Sequence, residues 1–287
     1  MSVNLKSITL MVIAMGCLTL TDLLIKIASQ TLPIGQVMIY YGVGSLIVFW
    51  ALLRVKGEPI RLSPLTNPTV IFRNIGDLIA SNGMFLALVY VPLSTIGAVI
   101  QTVPILVTAA AALFLGEQVG MRRVSAIFVG FLGTLLIIQP GAASFDITAI
   151  LVLIAAIGMA LRDIATKLVR ENLSTLLLSF YSCFLFIISG SALLIFNGGA
   201  SVPDLHNIVT LAAMTVTGSL GFFFMTEAVR LGEMSVVSPF RYTRLLFSMV
   251  AGIFILGEQV NNSMIIGSAL TILSGLYIWR REIVMQS

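Results

Sequence analysis

The chain has 287 residues, of which 58% are hydrophobic and only 10% charged, and its formal net charge is +4. Soluble domains carry about 25% charged residues. The composition therefore excludes a soluble enzyme and a disordered chain, and it indicates a polytopic membrane protein. In such a protein, extra Lys and Arg are typical of cytoplasmic loops rather than of nucleic-acid binding.

Ten apolar segments follow one another along the chain, and a membrane span needs about 20 residues. They are Ser7–Ala28, Pro33–Leu53, Val70–Val91, Ser94–Leu115, Val124–Gln139, Ile147–Val169, Leu176–Phe196, Ile208–Leu231, Ser235–Leu256 and Ile265–Trp279. Breakers such as Gln139-Pro140-Gly141 fall between them. The first segment has no small-residue cleavage site, which favours a spanning helix over a removed signal peptide. The sequence predicts an all-α membrane fold of ten transmembrane helices.

The distribution of positive charge predicts the orientation. With the N-terminus inside, twelve of the 16 Lys and Arg residues lie in cytoplasmic segments or adjoining helix ends. They are Lys6, Arg54, Lys56, Arg61, Arg73, Arg122, Arg123, Lys167, Arg170, Arg230, Arg280 and Arg281. This bias predicts that both termini are cytoplasmic, in a multi-pass protein of the plasma membrane, and we expect a bacterial inner membrane.

The two halves of the chain resemble each other at an offset of 141 residues. The offset aligns Asp22 with Asp163 and Lys26 with Lys167, and it aligns residues 116–119 with the identical Gly-Glu-Gln-Val at residues 257–260. We therefore divide the chain into residues 1–139 and 147–287, each with five spans. Because five is odd, the second repeat should be inverted in the membrane, an arrangement that recurs in secondary transporters.

These features resemble the drug/metabolite transporter superfamily, EamA type. The resemblance rests on the ten spans, the two halves and the Leu-Gly-Glu motifs that end spans four and nine, at Leu115-Gly116-Glu117 and Leu256-Gly257-Glu258. It implies transport of a small metabolite, often an amino acid or a related compound. It also implies a central cavity built mainly from helices one, three, four, six, eight and nine, with five and ten at the periphery.

Charged residues inside spans are costly, so they are the first candidates for a functional site. Arg241 and Arg244 lie three residues apart on span nine and share a helical face, and Pro239 one turn earlier predicts a bend. Such a pair can hold a carboxylate or phosphate, or can be neutralised by acids of the protein. Tyr242 beside them is a candidate for stacking on a ligand.

Polar stripes on two further spans predict a cavity lining. Asp77 and Ser81 recur at helical spacing on span three with Asn82 beside them, and Gln101 lies on a polar stripe of span four. The alternative is that these side chains only form hydrogen bonds between helices. Glu117 and Glu258 follow glycine at the ends of spans four and nine, and we interpret them as structural.

A second group of charges predicts a gate. Asp77, Arg162, Asp163, Glu227 and Arg241 should lie at similar depth in the cytoplasmic half, where they could form an ion-pair gate or a static buried network. In the outer half, Asp22 and Lys26 are spaced as (i, i+4) partners, and mutual neutralisation is the favoured interpretation.

The leading hypothesis is a secondary transporter that moves a small polar metabolite by alternating access. The two arginines favour an amino acid or an amino-acid derivative, and the resemblance favours export. The alternative is uptake of a larger metabolite such as a vitamin or an S-adenosyl compound. An integral-membrane enzyme is less favoured, because the sequence has no His or Cys cluster and no nucleophile–base spacing. We expect no catalytic residue, metal or cofactor. The expected partners are the substrate and the lipid bilayer but not nucleic acid, and a homodimer is left open.

Overall fold

The computed structural model describes residues 3–107, 121–138, 147–169, 173–197, 199–232 and 237–286. These residues form ten α-helices and no strand. The helices are α1 (Val3–Ala28), α2 (Ile34–Val55), α3 (Pro68–Tyr90), α4 (Leu93–Val99), α5 (Met121–Ile138), α6 (Ala149–Leu168), α7 (Thr175–Asn197), α8 (Leu205–Leu231), α9 (Thr243–Leu256) and α10 (Asn262–Gln286). The ten predicted helices are therefore confirmed, while residues 108–115 of span four lie outside the described residues.

The helix ends follow the local sequence. The side chain of Asn67 accepts a hydrogen bond from the Thr69 amide and caps α3, whose first residue is proline. Asp204 caps α8 in the same way. Gly257 ends α9 with φ of 67°, a left-handed conformation that favours glycine.

Spans four and nine each contain a short 3-10 segment in their first third. One is Ile100–Thr102 after α4, and the other is Ser238–Tyr242 before α9. The second contains Pro239 in its first turn, which accounts for the irregularity because proline lacks an amide donor. The offset of 141 residues places the two segments at corresponding positions of the two halves.

Five of the helices in the described part of the chain are long and apolar enough to cross a membrane, judged by length and composition. They are α1, α2, α6, α7 and α8. Shorter apolar helical stretches cover Leu93–Val107, Phe128–Ile137 and Asn262–Ser274. Helix α3 is 23 residues long but carries Arg73 and Asp77.

The most extensive contacts join helices of opposite halves: α1 with α8, α3 with α6, α2 with α7, and α5 with α10, while α4 packs chiefly on α9. The 141-residue offset relates α1 to α6 and α3 to α8. It therefore exchanges the first two pairs and maps each of the other three onto itself. This is the pairing that a pseudo-two-fold relation between the halves requires.

Glycines allow several of these pairs to approach closely. A Cβ atom at Gly76 of α3 would lie 2.6 Å from the backbone nitrogen of Arg162, and one at Gly83 would lie 2.8 Å from that of Ala155. Helices in lipid lack a hydrophobic driving force for association, so the close van der Waals packing that small residues permit stabilises such contacts instead. The close approach of α3 to α6 brings the backbone of Arg162 against α3.

Two opposite charges stabilise the turn between α3 and α4. Glu258 accepts hydrogen bonds from the amides of Leu93 and Ser94 at 2.6 and 2.8 Å, at the N-terminus of α4. A carboxylate there is favourable with the helix dipole. The structural role predicted for Glu258 is thus seen directly, while Glu117 of the other half lies outside the described residues.

Lys26 supports the other side of the same turn. Its Nζ donates to the carbonyl oxygens of Leu88 and Val91, at 3.1 and 2.7 Å, where α3 ends. A cation is favoured at a helix C-terminus. Lys26 therefore stabilises a helix end, contrary to the predicted neutralisation of Asp22 by its (i, i+4) neighbour.

We predict that Gly83→Leu destabilises the protein, because the added side chain would force α3 away from the backbone of α6. Overpacking of this kind costs about 1–3 kcal/mol. The thermal unfolding midpoint in detergent should fall. The control is Ile75→Leu on the exposed face of the same helix, which should leave the midpoint unchanged. Equal midpoints for the two variants would contradict the close contact.

Candidate functional site

A central cavity of about 90 Å³ lies between the two halves. Its walls are mainly apolar and include four methionines and several aromatic rings. The charged lining residues are Asp22, Asp77, Arg162, Arg241 and Arg244. Among the described residues α5 and α10 contribute nothing to the lining, whereas Tyr41 of α2 and Phe186 of α7 extend it beyond the six helices that the resemblance implied.

Three rings form one aromatic wall of the cavity. The ring centroids of Tyr41 and Phe186 are 5.0 Å apart in an edge-to-face arrangement, and Phe85 lies 5.9 Å from each. Aromatic pairs are favourable at these separations. This wall was not anticipated from the sequence, because residues on three different spans have no common pattern.

Four charged residues form a continuous chain of ion pairs beside the cavity. Arg162 Nη1 lies 3.2 Å from Asp77 Oδ1, and Arg162 Nη2 lies 3.2 Å from Asp163 Oδ1. Arg241 Nη1 then lies 2.5 Å from Asp163 Oδ2. All four side chains are buried. The chain connects α3, α6 and the 3-10 segment that precedes α9.

A separate ion pair connects α1 with α9. Arg244 Nη2 lies 2.5 Å from Asp22 Oδ2, and both side chains are 8% exposed. Asp22 was placed with Lys26 because sequence shows only neighbours on the same helix. The structure corrects this assignment, since the partner is a residue 222 positions away.

The predicted substrate residues divide into two groups. Asp77, Ser81, Arg241 and Arg244 line the cavity. The other three do not belong to its described lining: Asn82, Gln101 and Tyr242.

Each of these three side chains is buried or occupied elsewhere. Asn82 Nδ2 donates to Ser189 Oγ of α7 at 2.9 Å, and Gln101 Nε2 donates to the carbonyl of Gly97 in its own helix at 2.8 Å. The phenol oxygen of Tyr242 is buried without a hydrogen-bond partner among the described residues. Asn82 thus matches the alternative of an interhelical hydrogen bond.

Glu227 does not join the charge chain, which corrects its predicted place in a gate with Asp163. It accepts a hydrogen bond from Thr175 Oγ1 at 2.8 Å, and Thr175 Oγ1 in turn accepts one from Arg230 at 3.1 Å. These residues line a second cavity together with Lys56 and Glu58. Glu227 was grouped with the chain on depth alone, and depth does not give the direction of a side chain.

Arg73 is a buried charge that sequence reasoning missed. It was counted among the cytoplasmic cations near a helix end, but its side chain is fully buried. Its Nη1 donates to Ser182 Oγ at 3.0 Å and to Asn74 Oδ1 at 3.2 Å. The signal that could have found it is the four-residue spacing to Asp77, which places both on one face of α3.

The Asp22–Arg244 pair gives a stability prediction. Removing one partner of a buried pair leaves an uncompensated charge and costs about 3–5 kcal/mol. Asp22→Ala and Arg244→Ala should therefore each lower the thermal unfolding midpoint strongly. The double variant should be more stable than the sum of the two losses predicts, because neither charge is then left alone. Additive losses in this double-mutant cycle would show that the two side chains do not interact.

Comparison with known proteins places the fold and the family. A solved crystal structure superposes with a TM-score of 0.66 over 95% of this chain and 98% of that chain, at 17% sequence identity. A likeness at this identity shows a shared fold.

Several curated transporters are similar in sequence. The pseudopaline exporter CntI of Pseudomonas aeruginosa is 25% identical over 281 residues, which are 97% of this chain and 98% of that protein. A riboflavin transporter of Brucella anthropi is 28% identical over 68% of this chain and 70% of its own length. An S-adenosylmethionine uptake transporter of Rickettsia bellii is 27% identical over 65% of this chain. This last match spans 64% of the relative, slightly less than two thirds of its length.

A family model described as the EamA-like transporter family matches residues 5–139 and again residues 146–280. The resemblance seen in the sequence is thereby confirmed. Since the two matches together cover most of the chain, it belongs to the EamA-like transporter family.

Proposed function

We infer that the chain is a membrane transporter rather than an enzyme, and a multi-pass protein of the bacterial inner membrane, because it belongs to this family. The lining of the central cavity indicates the class of substrate.

We propose that the protein moves a small amphipathic metabolite by alternating access, with the substrate held in the central cavity. The observation that carries this proposal is the combination of apolar walls with buried, paired charges at the interface of the two halves. Binding sites for small molecules are typically of this kind, with a few polar groups among apolar side chains. An amino-acid derivative fits both parts of the lining, and export is the direction that we expect.

A second candidate is uptake of a larger ring-bearing metabolite. It is favoured by the aromatic wall of Tyr41, Phe85 and Phe186, which offers surfaces for stacking on a planar ring. Two of the curated relatives carry names of this kind, a riboflavin transporter and an S-adenosylmethionine uptake transporter.

We further propose that residues 1–139 and 147–287 are inverted repeats, and that both termini are cytoplasmic. The exchange of helix pairs under the 141-residue offset supports the first part, and the distribution of Lys and Arg supports the second. Inverted halves supply two mirror-related states, one open to each side of the membrane.

Transport in proteoliposomes tests the proposal. The purified protein should catalyse saturable uptake or counterflow of at least one solute among L-phenylalanine, L-methionine, S-adenosylmethionine and riboflavin. Preloading the liposome interior or adding the solute outside separates the two directions. A protein that moves none of these solutes faster than empty liposomes, at full reconstitution, would contradict the proposal.

Arg244→Ala should reduce this transport at least tenfold, because it removes a cation from the cavity wall and leaves Asp22 unpaired. The matched control is Arg230→Ala, since Arg230 lines the second cavity instead. Transport by the two variants is compared at equal amounts of reconstituted protein. Equal transport by the two variants would remove Arg244 from the substrate path.

A further inference from the structure

The two ends of the charge chain have unused hydrogen-bonding capacity. At one end, Asp77 accepts from Arg162 through Oδ1, while its Oδ2 is buried and has no partner in the described part of the chain. At the other end, Arg241 donates to Asp163 through Nη1, while its Nε and Nη2 are buried and likewise unpartnered. The side chains of Asp77 and Arg241 are only 3% and 9% exposed.

Arg162 and Asp163, in the middle of the charge chain, have no unpartnered side-chain atom of this kind. Arg162 donates to Asp77 and Asp163 through Nε, Nη1 and Nη2, and Asp163 accepts through both oxygens. A buried charged atom without a partner is costly, by more than a neutral one. The unmet capacity is therefore confined to one carboxylate oxygen at the first end and two guanidinium nitrogens at the second.

These two ends differ in chemistry, and both residues line the central cavity. The oxygen of Asp77 can accept from a cationic amine. Nε and Nη2 of Arg241 lie on one edge of the planar guanidinium, which is the geometry that binds both oxygens of a carboxylate. One end therefore suits an amine and the other a carboxylate, the two charged groups of an amino-acid head group.

We propose that Asp77 and Arg241 form a head-group site for a zwitterionic substrate, with the amine at Asp77 Oδ2 and the carboxylate at Nε and Nη2 of Arg241. This inference rests on the proposed function and names its substrate class. The rest of the substrate lies against the methionines and the aromatic wall.

The two unpartnered ends of the charge chain favour a zwitterion over a simple ion. A bound zwitterion satisfies both ends and leaves the net charge of the site unchanged. A lone anion or a lone cation would satisfy one end only and would leave the other end buried without a partner.

The test uses matched ligands that differ only in one head-group charge. L-Phenylalanine is compared with L-phenylalaninamide, which lacks the carboxylate, and with 3-phenylpropanoate, which lacks the amine. A second set is L-methionine, L-methioninamide and 4-(methylsulfanyl)butanoate. Binding of each to the full-length protein in lipid nanodiscs is measured by calorimetry. In at least one set, the zwitterion should bind about tenfold or more tightly than either analogue.

Two variants assign the two halves of the head group. Asp77→Asn should abolish the preference for L-phenylalanine over 3-phenylpropanoate and keep the preference over the amide. Arg241→Gln should do the reverse. Glu227→Gln is the matched control, because it makes the same carboxylate-to-amide change in the second cavity, and both preferences should remain. Variants in which both preferences change together would overturn the assignment.

The affinities of the unchanged protein for the zwitterion and its analogues test the head-group site even if a variant fails to fold. In both sets, equal binding of the zwitterion and one of its single-charge analogues overturns the head-group site. If riboflavin is transported while neither amino acid binds better than its analogues, the head-group site fails but the transport proposal stands. If no solute is transported and no zwitterion binds, both fail.

Discussion

A charge inside the membrane needs a partner, and the structure is organised around this constraint. Asp22 pairs with Arg244 between α1 and α9. Asp163 lies between two arginines and so connects α6 to the segment that precedes α9. Two of the ion pairs, Asp22–Arg244 and Asp77–Arg162, join helices of opposite halves at the cavity wall. Because they link the halves where the substrate is proposed to bind, a change in their pairing would change the contact between the halves.

The cavity is symmetric in position but not in chemistry. The 141-residue offset relates lining positions to each other in six cases. In three of them, Thr21 to Arg162, Ile100 to Arg241 and Val103 to Arg244, the second half supplies an arginine where the first supplies a hydroxyl or an aliphatic side chain. The two halves thus supply related backbone positions, while the cations that could recognise a substrate come from the second half. This asymmetry allows one defined substrate orientation inside a nearly symmetric scaffold.

Sequence reasoning succeeded where the information was local or repeated. Apolar length gave the ten helices, and Pro239 marked the irregular start of span nine. It failed where the answer depended on the rotation of one helix against another. Gln101 lies on a polar stripe but bonds within its own helix, and Asp22 was assigned to its neighbour Lys26 because its true partner lies on a distant span. Arg73 looked like a residue at a membrane surface because sequence position does not reveal burial.

The central claim is that substrate occupies the cavity between the two halves, and a single thiol tests it most directly. Ser81 lines the cavity, and it can be replaced by cysteine after Cys17 and Cys183 are changed to serine. In proteoliposomes, a membrane-permeant thiol reagent should abolish transport of whichever panel solute the protein carries. Excess of that solute should slow the labelling. Complete labelling that leaves transport unchanged would contradict the account.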